Sequence, residues 1–215
     1  MPGRPVPTTV GAMTSTPLER LLTSSLVVAP AVYLIADLLY ATRGWDDPTA
    51  AVLHIFGAIG YTIVMVRLVT LGHGRLAAVL LVVGVFGAAG DVGYGFDTIH
   101  VSLGDTALVD ATGAATLIKP LGLCFPLTLL LGALVLRRTA PAWTVVLLAA
   151  GALAWPVAHI ADIGWLAVLV NAALVVVFGT VARWLKPSSE FRHPHRGADA
   201  AREVRSHAEP GQAVP

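Results

Sequence analysis

The chain has 215 residues, of which 56% are apolar and 13% charged, with a formal net charge of +1, whereas a soluble domain carries about 45–50% apolar and about 25% charged residues. This argues against a soluble monomer and excludes a nucleic-acid binder built on net positive charge. The one cysteine, Cys124, excludes an intrachain disulfide and any multi-Cys zinc site.

In chain order, residues 1–19 are rich in Pro and Thr and read as a disordered N-terminal tail. A domain over 20–185 follows, with six apolar stretches near 21–40, 50–71, 76–94, 114–136, 141–160 and 163–185. Each is long enough to cross a hydrocarbon core of about 30 Å. In lipid such segments must be helices, because an isolated strand would leave its backbone donors unpaired. The expected fold class is therefore all-α: a polytopic integral membrane protein built as a six-helix bundle. The fifth and sixth stretches nearly touch, so Asp162 and Gly164 are expected to form a tight turn. Residues 95–113 form an outer segment that could cover a pocket. Residues 186–215 have few large apolar side chains and read as a disordered basic tail.

Twelve of the fourteen basic side chains fall on the side of the termini, while Arg43 stands alone in the opposite loops and Lys119 lies in the fourth span. By the positive-inside rule both termini are expected in the cytoplasm of a cell-membrane protein. Eight of the thirteen acids fall on the other side. Acids contribute little to orientation, so their concentration there needs another reason.

Within those acids one short pattern occurs three times, as Ala36-Asp37-Leu38-Leu39-Tyr40, Gly90-Asp91-Val92-Gly93-Tyr94 and Ala161-Asp162-Ile163-Gly164-Trp165. The copies end spans one, three and five, so their carboxylates should arrive at one level near the outer surface. The plain explanation is an interfacial aromatic with a polar helix end. Against it, an Asp near a helix C-terminus faces the negative end of the macrodipole and calls for a cationic partner. His54, Lys119 and His159 are expected in the same layer, with His159 and Asp162 on one helix face if the helix continues. Asp97 and His100 add a further i,i+3 pair. Lys119 precedes Pro120, which together with Pro30, Pro126 and Pro156 marks candidate kinks.

No cofactor is implied. A divalent cation at His54, His159 and Asp162 is compatible with imidazole and carboxylate chemistry, but the His-x-x-x-His spacing is missing. Gly84, Gly87, Gly90 and Gly93 should admit a close helix neighbour, and Asn171 should form an interhelical hydrogen bond. The favoured functional expectation is binding or transport of a proton, a cation or a cationic small molecule in an outer acidic/His pocket. An accessory or scaffold subunit docking through its glycines, and an outer-leaflet enzyme, stand as alternatives. Besides the lipid bilayer, the expected partner is a second copy of the chain or another membrane protein, and not nucleic acid.

Overall fold

The computed structural model describes residues 16–110, 112–114 and 119–185, with the backbone alone at Val109 and Lys119. The described residues form six α-helices and no strand: α1 (Pro17–Arg43), α2 (Pro48–Leu71), α3 (Gly74–Ser102), α4 (Lys119–Leu136), α5 (Ala142–Ile160) and α6 (Gly164–Trp184). Five are long and apolar enough to cross a membrane, and α4 adds the shorter apolar helix Pro120–Leu136. The chain is a multi-pass helical membrane bundle. The parts of the two expected tails at residues 1–15 and 186–215, and residues 115–118 of the fourth stretch, lie outside the described residues.

The first helix starts earlier than its apolar stretch. Thr16 accepts a hydrogen bond from the Glu19 N–H (3.2 Å) and the Glu19 carboxylate accepts one from the Thr16 N–H (3.3 Å), with Pro17 in the first turn. This capping box starts the helix at Pro17, inside the stretch expected as tail, since it satisfies two backbone donors that the helix itself cannot. The third helix differs more. It runs on past Tyr94 to Ser102, which takes about two helical turns from the segment expected at 95–113. Polar residues from Asp97 onward end a hydrocarbon-matched stretch, but they do not end a helix whose backbone is already paired. Both Asp97 oxygens accept from the Leu108 N–H (3.0 and 3.1 Å), fastening the returning chain and its 3-10 turn Leu108–Asp110 to the helix end.

The linkers at 44–47, 72–73, 137–141 and 161–163 are short, which makes the helices they join antiparallel neighbours. Consecutive helices touch all the way round, and α6 packs back on α1 to close a ring. The inside of the ring is aromatic: Phe125 stacks on Tyr33 (5.7 Å between centroids) and meets Tyr61 (5.0 Å) and Trp155 (5.2 Å). Large apolar side chains such as Phe56, Val82, Leu153 and Leu169 stand on the outside, as a lipid solvent permits. The neighbours in least extensive contact are α4 and α5. The end at which α1, α3 and α5 finish is called the distal end below.

The glycines of α3 act inside this chain. A Cβ on Gly87 would lie 2.8 Å from the Phe125 nitrogen, and one on Gly90 would lie 2.5 Å from the Leu121 carbonyl carbon, so α3 and α4 meet backbone to backbone. Gly84 is filled by Met65 of α2. Gly93, expected with this set, contacts nothing within 4 Å of where a Cβ would stand. It opens on the cavity described next.

Candidate functional site

Tyr33, Asp37 and Tyr40 follow an i, i+4, i+7 spacing that places them on one face of α1, and all three are buried. Asp37 lies six residues before the end of α1 and His54 six residues into α2, so each sits about 9 Å below the distal end of its helix. His159 of α5 and Asn171 of α6 are buried beside them. Asp91, on α3, is 1% exposed. Two hydrogen-bonded groups result.

The first group is centred on Asp37. Its Oδ2 accepts from Asn171 Nδ2 at 2.6 Å, the interhelical bond expected of Asn171. Its Oδ1 faces His159 Nε2 at 3.4 Å, within ion-pair range but without hydrogen-bond alignment. His159 Nδ1 lies 3.0 Å from the Trp155 carbonyl. A carbonyl only accepts, so Nδ1 carries a proton. A neutral His159 would then turn a bare Nε2 towards a bare Oδ1, which is repulsive. A proton shared between Asp37 and His159, as an imidazolium–carboxylate pair or a neutral acid, would remove that repulsion. The Trp155 ring stacks on His159 at 4.1 Å.

The second group is centred on Tyr33. Its hydroxyl donates to Asp91 Oδ2 at 2.9 Å and lies 2.7 Å from His54 Nε2. Among the described residues Asp91 Oδ1 and His54 Nδ1, the two outer ends of this chain of bonds, have no partner although both are buried. The His54 and His159 rings are 6.4 Å apart, which brings the two groups into one polar layer.

Beside that layer is a cavity of about 610 Å³ between α3, α4, α5 and the α5–α6 turn. Asp91, Asp97, Asp162, His159, Tyr94 and Trp155 are among the residues that line it. The remaining wall is mainly apolar, including Leu123 and Ile160. A mostly apolar site with a few convergent polar groups is the usual form of a small-molecule pocket, typically about 300–1,000 Å³.

The structure brings Asp37, His54, Asp91 and His159 together, and it places Asp97 and Asp162 on the cavity wall. The three copies of the short motif are not equivalent. Asp37 and Asp91 lie within helices, whereas α5 stops at Ile160 and Asp162 is exposed in the turn with φ 55°. There the Ile163 N–H returns to the Ala158 carbonyl (2.8 Å), the αL closure in which Gly or Asn usually stands. The Asp162 carbonyl accepts from Trp45 Nε1 at 2.8 Å. His159 and Asp162 thus share a cavity and not a helix face. Likewise Tyr40, expected as an interfacial anchor, is 1% exposed, while Trp165 is 61% exposed. His100 does not pair with Asp97. Its Nδ1 meets Asp105 at 2.8 Å on the exposed surface, away from the polar layer. Lys119 opens α4 next to Pro120, and its side chain lies outside the described residues.

Among the described residues no three of His, Cys, Asp and Glu come together as metal ligands. That includes His54, His159 and Asp162. Two participants were missed by the sequence reading, Tyr33 and Trp155. The available signal was their i,i+4 spacing to Asp37 and His159, which puts each on the face of its acidic or imidazole neighbour. No family model, curated protein or solved structure matches this chain, which leaves geometry and chemistry as the grounds for its function.

Proposed function

We propose that this membrane protein binds, and as a transporter carries, a small organic cation, which enters the distal cavity and places its charge against Asp91. The observation that carries this reading is the Asp91 carboxylate, 1% exposed, with Oδ1 unpartnered among the described residues, on the wall of a cavity of about 610 Å³. A buried acid within a membrane span is costly and marks a site by default. Tyr94 and Trp155 offer ring faces that attract a cation, while Leu123 and Ile160 accommodate an apolar body. An organic cation suits this wall better than a bare metal ion, because most of it is apolar and no three potential metal ligands meet among the described residues. The basic asymmetry of the loops supports an orientation with the termini in the cytoplasm of the cell membrane and the cavity at the outer face. With six helices, a homodimer is the assembly we favour.

Benzyltrimethylammonium is a suitable probe, since it combines a permanent charge with an apolar ring. Calorimetry on the full chain in lipid nanodiscs should give saturable binding that Asp91→Asn weakens about tenfold or more, equivalent to about 1.4 kcal/mol. Asp46→Asn, in the exposed loop, should leave it unchanged. No saturable binding, or equal weakening by both substitutions, would reject the reading.

A further inference from the structure

We infer that Asp91, Tyr33 and His54 form a proton relay that exchanges one proton of the protein for one cation bound in the distal cavity. The exchange part rests on the function proposed above, whereas the relay part stands on the hydrogen-bond chain alone.

The bonds run Asp91 Oδ2, Tyr33 hydroxyl, His54 Nε2, at 2.9 and 2.7 Å. A hydroxyl has one hydrogen and accepts as well as donates, so the chain has two self-consistent arrangements. In the first, Asp91 is a carboxylate accepting from the Tyr33 O–H, and the Tyr33 oxygen accepts from His54 Nε2–H, which leaves Nδ1 bare. In the second, Asp91 carries a proton and donates it to the Tyr33 oxygen, Tyr33 donates to a bare Nε2, and the imidazole hydrogen is on Nδ1. The second holds one proton more. To pass from second to first, the Asp91 O–H bond breaks as its proton moves to Tyr33, the Tyr33 proton moves to Nε2, and the resulting imidazolium passes its Nδ1 proton to a water molecule, which is the acceptor the relay requires on that side and carries it to the buffer. Tyr33 and His54 end neutral, and Asp91 ends with one negative charge.

The two atoms at which such a relay must communicate, the outer ends Asp91 Oδ1 and His54 Nδ1 of this chain of bonds, are buried without a hydrogen-bond partner among the described residues, as are Asp37 Oδ1, His159 Nε2 and the Tyr40 and Tyr61 hydroxyls nearby. Asp91 meets the cavity. A cation arriving there stabilises the carboxylate arrangement, and the departing proton keeps the total charge of the buried layer unchanged, which matters where an uncompensated charge is costly. The described titratable groups facing the relay come from four helices. Around the chain stand Asp37 and Tyr40 of α1, Tyr61 of α2, Tyr94 of α3 and His159 of α5. Asp97 and Asp162 share the cavity with Asp91. From α4 Phe125 lies against Tyr33, and Lys119 begins that helix with its side chain undescribed. Asn171, the α6 residue in the layer, is committed to Asp37.

The test follows the His54 tautomer by nitrogen-15 NMR of histidine-labelled full chain in nanodiscs, with the resonance assigned by its loss in His54→Gln. The Asp91 carboxylic-acid C=O stretch is followed by infrared difference spectroscopy and assigned by its loss in Asp91→Asn. On raising the pH, the acid band should vanish in the same step in which His54 passes from Nδ1–H to Nε2–H. Tyr33→Phe keeps the ring and removes the hydroxyl, so it should separate the two events. Asp91→Asn should hold His54 in one tautomer across that step, which provides the same answer if Tyr33→Phe does not fold. A tautomer that ignores the Asp91 step in the wild type, or still follows it in Tyr33→Phe, overturns the relay. Adding benzyltrimethylammonium at a pH where the acid band is present should release about one proton per cation bound, read by calorimetry in phosphate and Tris buffers. Because the probe cannot itself lose a proton, binding without release overturns the exchange. Absence of binding rejects the cation site and the exchange with it, while the pH series still decides the relay.

Discussion

Asp37 and Asp91 come from the same short motif and lie in the same buried layer, yet their surroundings differ. Asp37 is enclosed: Asn171 holds one oxygen at 2.6 Å and His159 faces the other at 3.4 Å. Asp91 shares one oxygen with Tyr33 and lines the cavity, and its buried second oxygen has no partner among the described residues. A carboxylate with its partners supplied by the protein ties helices together, and here Asp37 joins α1, α5 and α6. One whose second oxygen has neither a hydrogen bond nor an ion-pair contact among the described residues is, in our reading, poised for something that arrives from outside. The same residue type therefore serves cohesion on one side of the ring and, in our reading, recognition on the other.

Substitutions should break this contrast to different extents. The largest effect is expected from Gly90→Leu, which removes the seat that holds Asp91 beside α4. With the Cβ position 2.5 Å from the Leu121 carbonyl carbon, overpacking should cost about 3 kcal/mol or more and lower the apparent unfolding temperature read by tryptophan fluorescence in detergent. Asn171→Leu should follow. It leaves Asp37 Oδ2 buried without its donor at a cost of about 3 kcal/mol, while benzyltrimethylammonium affinity at Asp91 stays as in the wild type. Loss of affinity there would show that the two carboxylates act as one unit. Tyr33→Phe should cost about 2 kcal/mol, since it strands polar atoms on Asp91 and His54 together, and the same unfolding assay would register it. The smallest effect belongs to the third copy of the motif. Asp162→Gly relieves a positive φ and should leave stability unchanged or raised by a few tenths of a kcal/mol, whereas Asp162→Ala should lower it by about 1 kcal/mol. If Asp162→Gly instead cost as much as Asn171→Leu, Asp162 would belong with the cohesive acids and not with the turn.

Hydropathy located the helices because lipid rewards long apolar runs irrespective of how they later pack. It placed their ends less well. The capping box at Thr16 and the continuation of α3 to Ser102 depend on local hydrogen bonds that hydropathy does not register. Of the candidate site, Asp37, His54, Asp91 and His159 were legible as ionisable residues at similar depth in apolar spans. Tyr33 was not, because a tyrosine in such a span is as readily a packed aromatic as a hydrogen-bond relay, and only the approach of α2 and α3 distinguishes the two. Asp162 misled for the opposite reason, since its sequence neighbours repeat the motif while its helix has already ended.

By itself, then, the sequence determined that this chain is an all-helical membrane bundle with acids and histidines gathered towards one end, since burial in lipid constrains composition residue by residue. The tertiary structure decided which acid faces an imidazole and an amide and which lines the cavity, which glycines are filled from within, and that Tyr33 lies between Asp91 and His54. Those outcomes depend on distances of about 3 Å between side chains on different helices, where hydrogen bonding is decided, and ring closure sets such distances in ways that no local run of residues encodes.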